Sequence, residues 1–226
     1  MQTSQLLHLC FFLSLILSSL PFIAYSSSSS DTFPLPPVIS LDGKELKLGK
    51  PYYIFSTIFP KRDGLCLVDN VKCPEDIIEC PYFYDTSSYF PVTFSAANVT
   101  TEDTVVREDT PYRIEFTIPG ATTCATAKYW YIKDVGDSLR EFVAIGPKTA
   151  AVEFQIKKVN LGYKIMYCIL LPIPPTPICY DVGFYKENGF NRLGFGVGID
   201  AVQFFFAGNL SSISTASFLN LAIPMF

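Results

Sequence analysis

The sequence predicts an all-β protein. Phe (20) and Tyr (13) are abundant, while charged residues make up only 17% of the chain, a composition that favours β-structure over helical bundles or disorder. Short β-branched and aromatic runs recur between Gly, Pro, Asn and Asp residues. No segment of about twelve residues or more carries a helical apolar stripe. Many short strands joined by tight turns predict a closed barrel or a sandwich.

The individual strands are predicted from runs in which apolar and polar residues alternate or aromatic residues cluster. In chain order they are Tyr52–Phe55, Val92–Phe94, Tyr112–Phe116, Tyr129–Ile132, Phe154–Ile156, Tyr163–Tyr167 and Val202–Phe206. Clustered turn residues predict reversals at Asp42-Gly43, Asp63-Gly64, Pro119-Gly120, Asn160-Leu161-Gly162 and Asn188-Gly189.

The N-terminal segment is predicted to be a secretory signal peptide. Leu6 to Ala24 is apolar or small and uncharged, and Ala24-Tyr25-Ser26 offers small residues at the positions that a signal peptidase inspects. A membrane-anchoring helix is the alternative, but Pro21 and several serines interrupt the run and no basic cluster follows. We therefore expect a signal over residues 1–26, followed by an extended, proline-rich lead-in over 27–37.

Catalysis is not expected from this composition. The single histidine, His8, lies inside the predicted signal, so the mature protein would offer no Ser-His or Cys-His pair. The adjacent carboxylates Glu102 and Asp103 are interpreted as solvated loop residues. No paired C-x-x-C spacing suggests a metal site, and a net charge of −4 without a basic run argues against nucleic acid. We expect no enzyme activity, no cofactor, no stable membrane anchor and a monomer.

Six cysteines remain if Cys10 leaves with the signal: Cys66, Cys73, Cys80, Cys124, Cys168 and Cys179. In a secretory compartment an even number of cysteines predicts a set of disulfides, although the sequence does not choose among the pairings. The short spacings from Cys66 to Cys73 and from Cys168 to Cys179 favour local closure.

Several motifs together carry a family resemblance. Leu41–Leu46, Gly49 and Tyr52-Tyr53-Ile54 resemble the opening strand pair of the plant Kunitz-type (soybean trypsin inhibitor-like) family, which includes miraculin-like members. The order and spacing of that family continue through Cys80-Pro81, Phe90–Ser95, Val105–Glu108, Trp130 after Cys124, Phe154–Lys157, Tyr163–Ile165, Asp181–Gly183 and Arg192-Leu193. The match runs from about Val38 to Phe206.

The resemblance implies a disulfide-bonded β-trefoil over 38–208, a six-stranded barrel capped by three hairpins. It also implies bridges from Cys80 to Cys124 and from Cys168 to Cys179. We expect the remaining Cys66 and Cys73 to pair with each other. That bridge is interpreted as a staple for an inserted loop; the alternative is a brace for a second binding loop that presents Lys61 and Arg62.

Family inhibitors insert a rigid loop between the fourth and fifth strands into a protease cleft. Here the resemblance places Thr101, Glu102, Asp103 and Thr104 at that loop, with Glu102 before the scissile bond. No basic residue occupies the position that trypsin requires, and Arg107 matches a strand-entering run. Leu48 stands where the family commonly has an asparagine that supports the loop.

Two N-glycosylation acceptors, Asn98 and Asn209, predict a glycoprotein. We expect a secreted or vacuolar plant defence protein that inhibits a serine, cysteine or aspartic protease, with trypsin not its preferred target. The alternative is a non-inhibitory storage or ligand-binding trefoil. Residues 209–226 form a tail that we interpret as a sorting peptide, or else as a strand that caps the barrel.

Overall fold

The strands of this protein form from short runs in which apolar and polar residues alternate. In Tyr112–Phe116, for example, every second side chain is buried. The computed structural model describes residues 34–58, 61–68, 76–80, 89–96, 104–118, 127–133, 136 and 139–210, without the side chains of 57, 58, 61, 62 and 127. Within them one sheet contains β1 Tyr53–Ile58, β2 Lys61–Leu67, β3 Ile77–Glu79, β4 Val92–Ala96, β5 Tyr112–Phe116, β6 Ala127–Lys133, β7 Arg140–Pro147, β8 Phe154–Lys158, β9 Tyr163–Pro172, β10 Pro175–Asp181, β11 Gly183–Glu187, β12 Phe190–Gly196, β13 Asp200–Ala201 and β14 Phe204–Ala207.

Six of these strands close a barrel. β1 pairs with β14, β4 with β5, and β8 with β9, all antiparallel. Three single pairings complete the ring, namely Tyr52 with Val92, Tyr112 with Phe154, and Tyr163 with Phe204. Because these six described strands form a closed ring, none of them leaves a free sheet edge along the barrel wall.

The barrel repeats one hydrogen bond three times. The buried tyrosines that begin each third of the barrel accept a hydrogen bond from a backbone N–H through their hydroxyl oxygens. The pairs are Lys47 with Tyr52 at 2.8 Å, Arg107 with Tyr112 at 2.7 Å, and Ile39 with Tyr163 at 2.8 Å. This repetition is the internal threefold pattern of a trefoil.

Three hairpins, β2–β3, β6–β7 and β11–β12, meet at one end of the barrel. β12 pairs with both β3 and β7, and Asp76 bridges Ala144. The Asp76 carboxylate also accepts hydrogen bonds from Lys133 Nζ at 3.1 Å and Arg192 Nη2 at 3.0 Å. One carboxylate therefore ties together the three repeats, and the predicted β-trefoil is confirmed.

The core fills the barrel with aromatic side chains. Trp130 is fully buried between Phe116, at a centroid distance of 6.1 Å, and Phe154, at 5.4 Å. Phe94 and Phe206 pack edge to face at 5.8 Å. Pairs of this geometry stabilise a core beyond the area they bury. All described strands belong to one compact unit that begins at Leu35.

The disulfide pairing partly contradicts the sequence-based expectation. Cys168 and Cys179 lie directly opposite each other in the β9–β10 pair and form the predicted bridge. Cys66, however, bonds to Cys80, with a Cα–Cα distance of 5.1 Å, so the predicted Cys66–Cys73 and Cys80–Cys124 bridges are wrong. The reason is the β2–β3 pairing, which brings Cys66 opposite Ile78 and leaves Cys80 beside it. Cys73 and Cys124 lie outside the described residues.

The predicted turns have mixed outcomes. Asn188 and Gly189, both with positive φ, connect β11 to β12, and Asp42-Gly43 and Asn160-Leu161-Gly162 also lie in reversals. Asp63-Gly64 is not a turn but lies within β2. A Cβ at Gly64 would lie 3.1 Å from Tyr89 Cδ1, so close ring packing explains this glycine. Pro119-Gly120 lies outside the described residues.

Candidate functional site

The candidate binding loop connects β4 to the segment that precedes β5. Residues 97–103, which include Thr101, Glu102, Asp103 and Asn98, lie outside the described residues. Thr104 is described, and its exposed side chain follows the loop directly. The structure therefore shows the base of the loop.

Both ends of the loop are fastened to the same short segment of the chain. Leu48 N–H donates to the Thr104 carbonyl at 2.7 Å, on the C-terminal side of the loop. Gly49 N–H donates to the Phe94 carbonyl at 3.0 Å, on its N-terminal side. Gly49 has a φ of 69°, which favours glycine and lets two successive N–H groups serve the two sides. The base is thus held closed by backbone hydrogen bonds.

Leu48 contributes its backbone to the loop, while its side chain packs against the hydrophobic core. The resemblance implies that an asparagine commonly supports the loop at this position in the family. Leucine has no side-chain amide, so it cannot make that hydrogen bond. The backbone contact between Leu48 and Thr104 is continued by the residues beside it. Lys47 forms a β-bridge with Val105, and the N–H of Val106 donates to the Leu46 carbonyl at 2.9 Å. Among the described residues, the support for the base of this loop therefore comes from the main chain.

The turn behind this segment is stabilised by a local polar cluster. The Ser40 hydroxyl donates to Asp42 Oδ1 and contacts the Lys44 carbonyl at 2.8 Å. The hydrogen bond from Ser40 holds the pKa of Asp42 below its usual value, against a smaller opposing effect of burial. The same turn pairs Ile39 with Glu45, so it orders the strands that carry Leu48 and Gly49.

Arg107 is a structural residue, as its strand-entering motif indicated. Its guanidinium donates to the Leu35 carbonyl at 2.8 Å, and its backbone bridges Pro37. These contacts fix the lead-in segment to the barrel and direct the side chain away from the role of a specificity residue.

The sequence suggested that Lys61 and Arg62 lie in an open loop, but the structure places them in a strand. They begin β2, where Lys61 pairs with Ile58 and Arg62 with Thr57. β1 is about 20 Å long at roughly 3.3 Å per residue, and its first residues lie next to the loop base. Lys61 and Arg62 pair with the other end of β1, so they lie about one strand length from that base. Because Cys66 bonds to Cys80, the proposed Cys66–Cys73 brace for this pair is also wrong.

The remaining candidates are simple to place. Asn209 is exposed, two residues after β14 ends. In the part of the chain that is described, no cluster of His, Cys, Asp or Glu could hold a metal ion. Across the same residues no helix is long and apolar enough to span a membrane.

Comparison with known proteins decides the family. The model of the legume Kunitz family, described as trypsin and protease inhibitor, matches residues 38–207. The chain belongs to this family. The match covers the whole barrel and its three hairpins, from the bridge at Ile39 to the end of β14.

Relatives of this Kunitz chain include both inhibitors and a seed protein. It is 30% identical to the 21 kDa seed protein of Theobroma cacao over 67% of this chain and 72% of that protein. It is 28% identical to aspartic protease inhibitor 8 of Solanum tuberosum over 81% and 92% of the two chains. The solved structure of a Kunitz-type cysteine protease inhibitor from potato matches 77% of this chain and 97% of its own, with 27% identity and a TM-score of 0.59.

One exposed element was missed at the sequence level. β10 contains Pro175 and Pro177 and directly follows Pro174. It is linked to β9 by a disulfide and forms a projecting hairpin with that strand. The signal that could have revealed it was the absence of charge from Ile165 to Tyr180, sixteen residues in a chain that is 17% charged.

Proposed function

We propose that this Kunitz protein is a secreted or vacuolar inhibitor that blocks a protease by inserting the loop around Glu102 into the substrate cleft, with trypsin not its preferred target. The observation that supports this best is the closed loop base, in which Leu48 and Gly49 hold the two sides. A loop that is already held in place loses little conformational freedom when it binds.

The loop sequence argues against trypsin as the target. An inhibitor of a trypsin-like enzyme places a cation against the carboxylate at the base of the specificity pocket. Glu102 would instead place a second carboxylate there, and two like charges are strongly unfavourable once water is excluded. A pocket without an acidic group suits this loop better.

A second function, that of a non-inhibitory storage or ligand-binding protein, is favoured by one observation. Leu48 packs on the core and offers the loop no side-chain hydrogen bond. If the tip of the loop needs that support, the chain would retain the trefoil and lose the inhibition.

A protease panel separates the two functions. The purified, deglycosylated protein is titrated against serine, cysteine and aspartic proteases, including trypsin. We expect tight, stoichiometric inhibition of at least one enzyme other than trypsin. Silence across all three classes, from a protein that shows cooperative unfolding, would establish the storage or ligand-binding alternative.

A further inference from the structure

The β9–β10 hairpin projects from the barrel as an uncharged, apolar element. β9 pairs with β8 only up to Tyr167, and from Cys168 outward the described pairings of β9 are with β10 alone. No charged residue occurs between Lys164 and Asp181. A projecting strand pair ordinarily carries polar side chains on its solvent-facing side, so this composition calls for a partner.

Both faces of the hairpin are apolar. Neighbouring residues on a strand point to opposite faces, and the neighbours Leu170 and Leu171 are both exposed, Leu170 at 68%. Ile173, at the tip, is 90% exposed. A flat contact would cover one face and leave the other in water, whereas a cleft can cover both.

The hairpin is also stiff. The Cys168–Cys179 bridge closes its base, and Pro172, Pro174, Pro175 and Pro177 restrict the backbone beyond it. At the base, Tyr180 stacks on Phe195 at a centroid distance of 5.4 Å, which anchors the hairpin to β12. A stiff element pays little ordering cost when a partner encloses it.

We propose that the β9–β10 hairpin is a second protease-binding element, which enters the substrate cleft of an enzyme whose specificity pocket is apolar and uncharged. Leu170 and Ile173 are the side chains that fill the apolar subsites. The proposal rests on the proposed function only in taking a protease as the partner. It involves binding alone, with no bond made or broken.

The backbone of the hairpin favours a protein cleft over a lipid surface. A lone strand pair carries unpaired backbone groups on its outer edges, and burying them in hydrocarbon costs several kcal/mol each by general estimates. The walls of a substrate cleft supply backbone partners to an extended segment. Pairing with a second copy through β10 is hindered, because Pro175 and Pro177 lack the N–H groups that a new strand would need.

The test compares a hairpin variant, Leu170→Ser with Ile173→Ser, with the control Leu161→Ser, which removes an exposed leucine from the β8–β9 connection. Both are titrated against elastase-, chymotrypsin- and subtilisin-type enzymes. We expect the hairpin variant to lose roughly 10- to 100-fold in affinity for an enzyme that the wild type inhibits, the loss typical of one or two buried aliphatic side chains. The control should match the wild type.

A separate readout keeps the two proposals distinguishable. The affinity of Glu102→Arg for trypsin reports the main loop and is measured with and without the hairpin changes. The hairpin proposal is overturned if the hairpin variant inhibits as well as wild type, or if the wild type inhibits none of these enzymes, whatever the main loop does. It is also overturned if the wild type binds phosphatidylcholine vesicles, or forms a concentration-dependent dimer, and the hairpin variant loses that property instead of affinity for a protease.

Discussion

At the scale of single residues, the tyrosine hydroxyls explain how each third of the barrel is joined to a neighbouring segment. Tyr52 and Tyr112 bind the segment just before them, and Tyr163 binds Ile39 in the first described segment of the chain. Tyr112 is buried, and its oxygen accepts the Arg107 N–H at 2.7 Å, next to the segment that follows the candidate loop. This position links a core side chain to the loop base through one hydrogen bond.

Tyr112→Phe should therefore lower the free energy of unfolding by about 1 to 2 kcal/mol, because it leaves the Arg107 N–H without its acceptor in a part-buried site. Urea unfolding measures this change. Tyr53→Phe, at a half-exposed position, serves as the control and should change the stability by less than about 0.5 kcal/mol. Equal effects of the two substitutions would contradict the role given to the Tyr112 hydroxyl.

Asp42 predicts a pH dependence of stability. The Ser40 hydroxyl holds the pKa of Asp42 in the folded protein below its usual value. The contribution of Asp42 to stability is therefore present above the unfolded-state pKa and is lost as the pH falls through the lowered folded-state pKa. Asp42→Asn should be less stable than wild type at pH 6, and the difference should shrink toward pH 2. Chemical denaturation at both pH values measures it, and a difference that stays constant would refute the prediction.

At the scale of strands and hairpins, the sequence predicted some elements well and others not at all. β5 was predicted with its observed bounds, because its apolar residues alternate with Arg113 and Glu115. The sequence predicts a loop where β2 lies, since charged residues and a glycine favour turns and only the pairing with β1 makes Lys61–Gly64 a strand. β10 was missed because its prolines are tolerated at a sheet edge but not in a central strand.

The disulfides show the same limit. The Cys168–Cys179 bridge could be predicted from the family resemblance and the short spacing of the two cysteines, which face each other in one hairpin. Cys66 and Cys80 are neighbours only through the pairing of β2 with β3, which the sequence spacing did not reveal. Long-range register, not local chemistry, decides that bridge.

Replacing Cys168 and Cys179 by serine should lower the free energy of unfolding by about 2 to 3 kcal/mol, as expected for a closed loop of about eleven residues. The hairpin should then be cleaved by proteases between those positions, while the barrel stays folded. Denaturation and mass spectrometry of the digests measure both effects. A hairpin that remains uncut without the bridge would show that the prolines alone provide the stiffness.

At the scale of the whole molecule, the three repeats are joined by polar contacts at the cap as well as by the core. Asp76 contacts Lys133 and Arg192, which belong to the other two repeats, and the Arg192 guanidinium lies 4.0 Å from the Phe142 ring centroid. The Arg192 side chain is only 15% exposed and also pairs with Glu187, so losing Asp76 would leave this poorly solvated cation with one carboxylate instead of two.

Asp76→Asn should cost about 1 to 2 kcal/mol of stability, because the carboxylate that links Lys133 to Arg192 is lost while Arg192 keeps its ion pair with Glu187. The fluorescence of Trp130, the single tryptophan of the chain and fully buried, reports unfolding of the core. Glu45→Gln, in an exposed pair with Lys47, is the matched control and should change the stability by less than about 0.5 kcal/mol. A small effect at Asp76 would mean that the core alone holds the repeats together.

The family and the trefoil could be predicted from motifs such as Leu41–Leu46 and Tyr52-Tyr53-Ile54, because these motifs lie on the barrel that every repeat shares. The support of the loop could not be predicted. Leu48 suggested a missing contact, whereas the structure shows that its backbone N–H and that of Gly49 close the loop base. Motifs in a sequence indicate what side chains can do, whereas the base of this loop is held by backbone hydrogen bonds that depend on the fold.

The most direct test of this account is the affinity of Glu102→Arg for trypsin. If the loop base is competent and only the residue before the scissile bond excludes trypsin, the substitution should raise the affinity by about 100-fold or more, with Asp200→Arg as a control of equal charge change on β13. No gain in trypsin affinity from a correctly folded Glu102→Arg protein would contradict the claim that this loop is a substrate-like inhibitory loop.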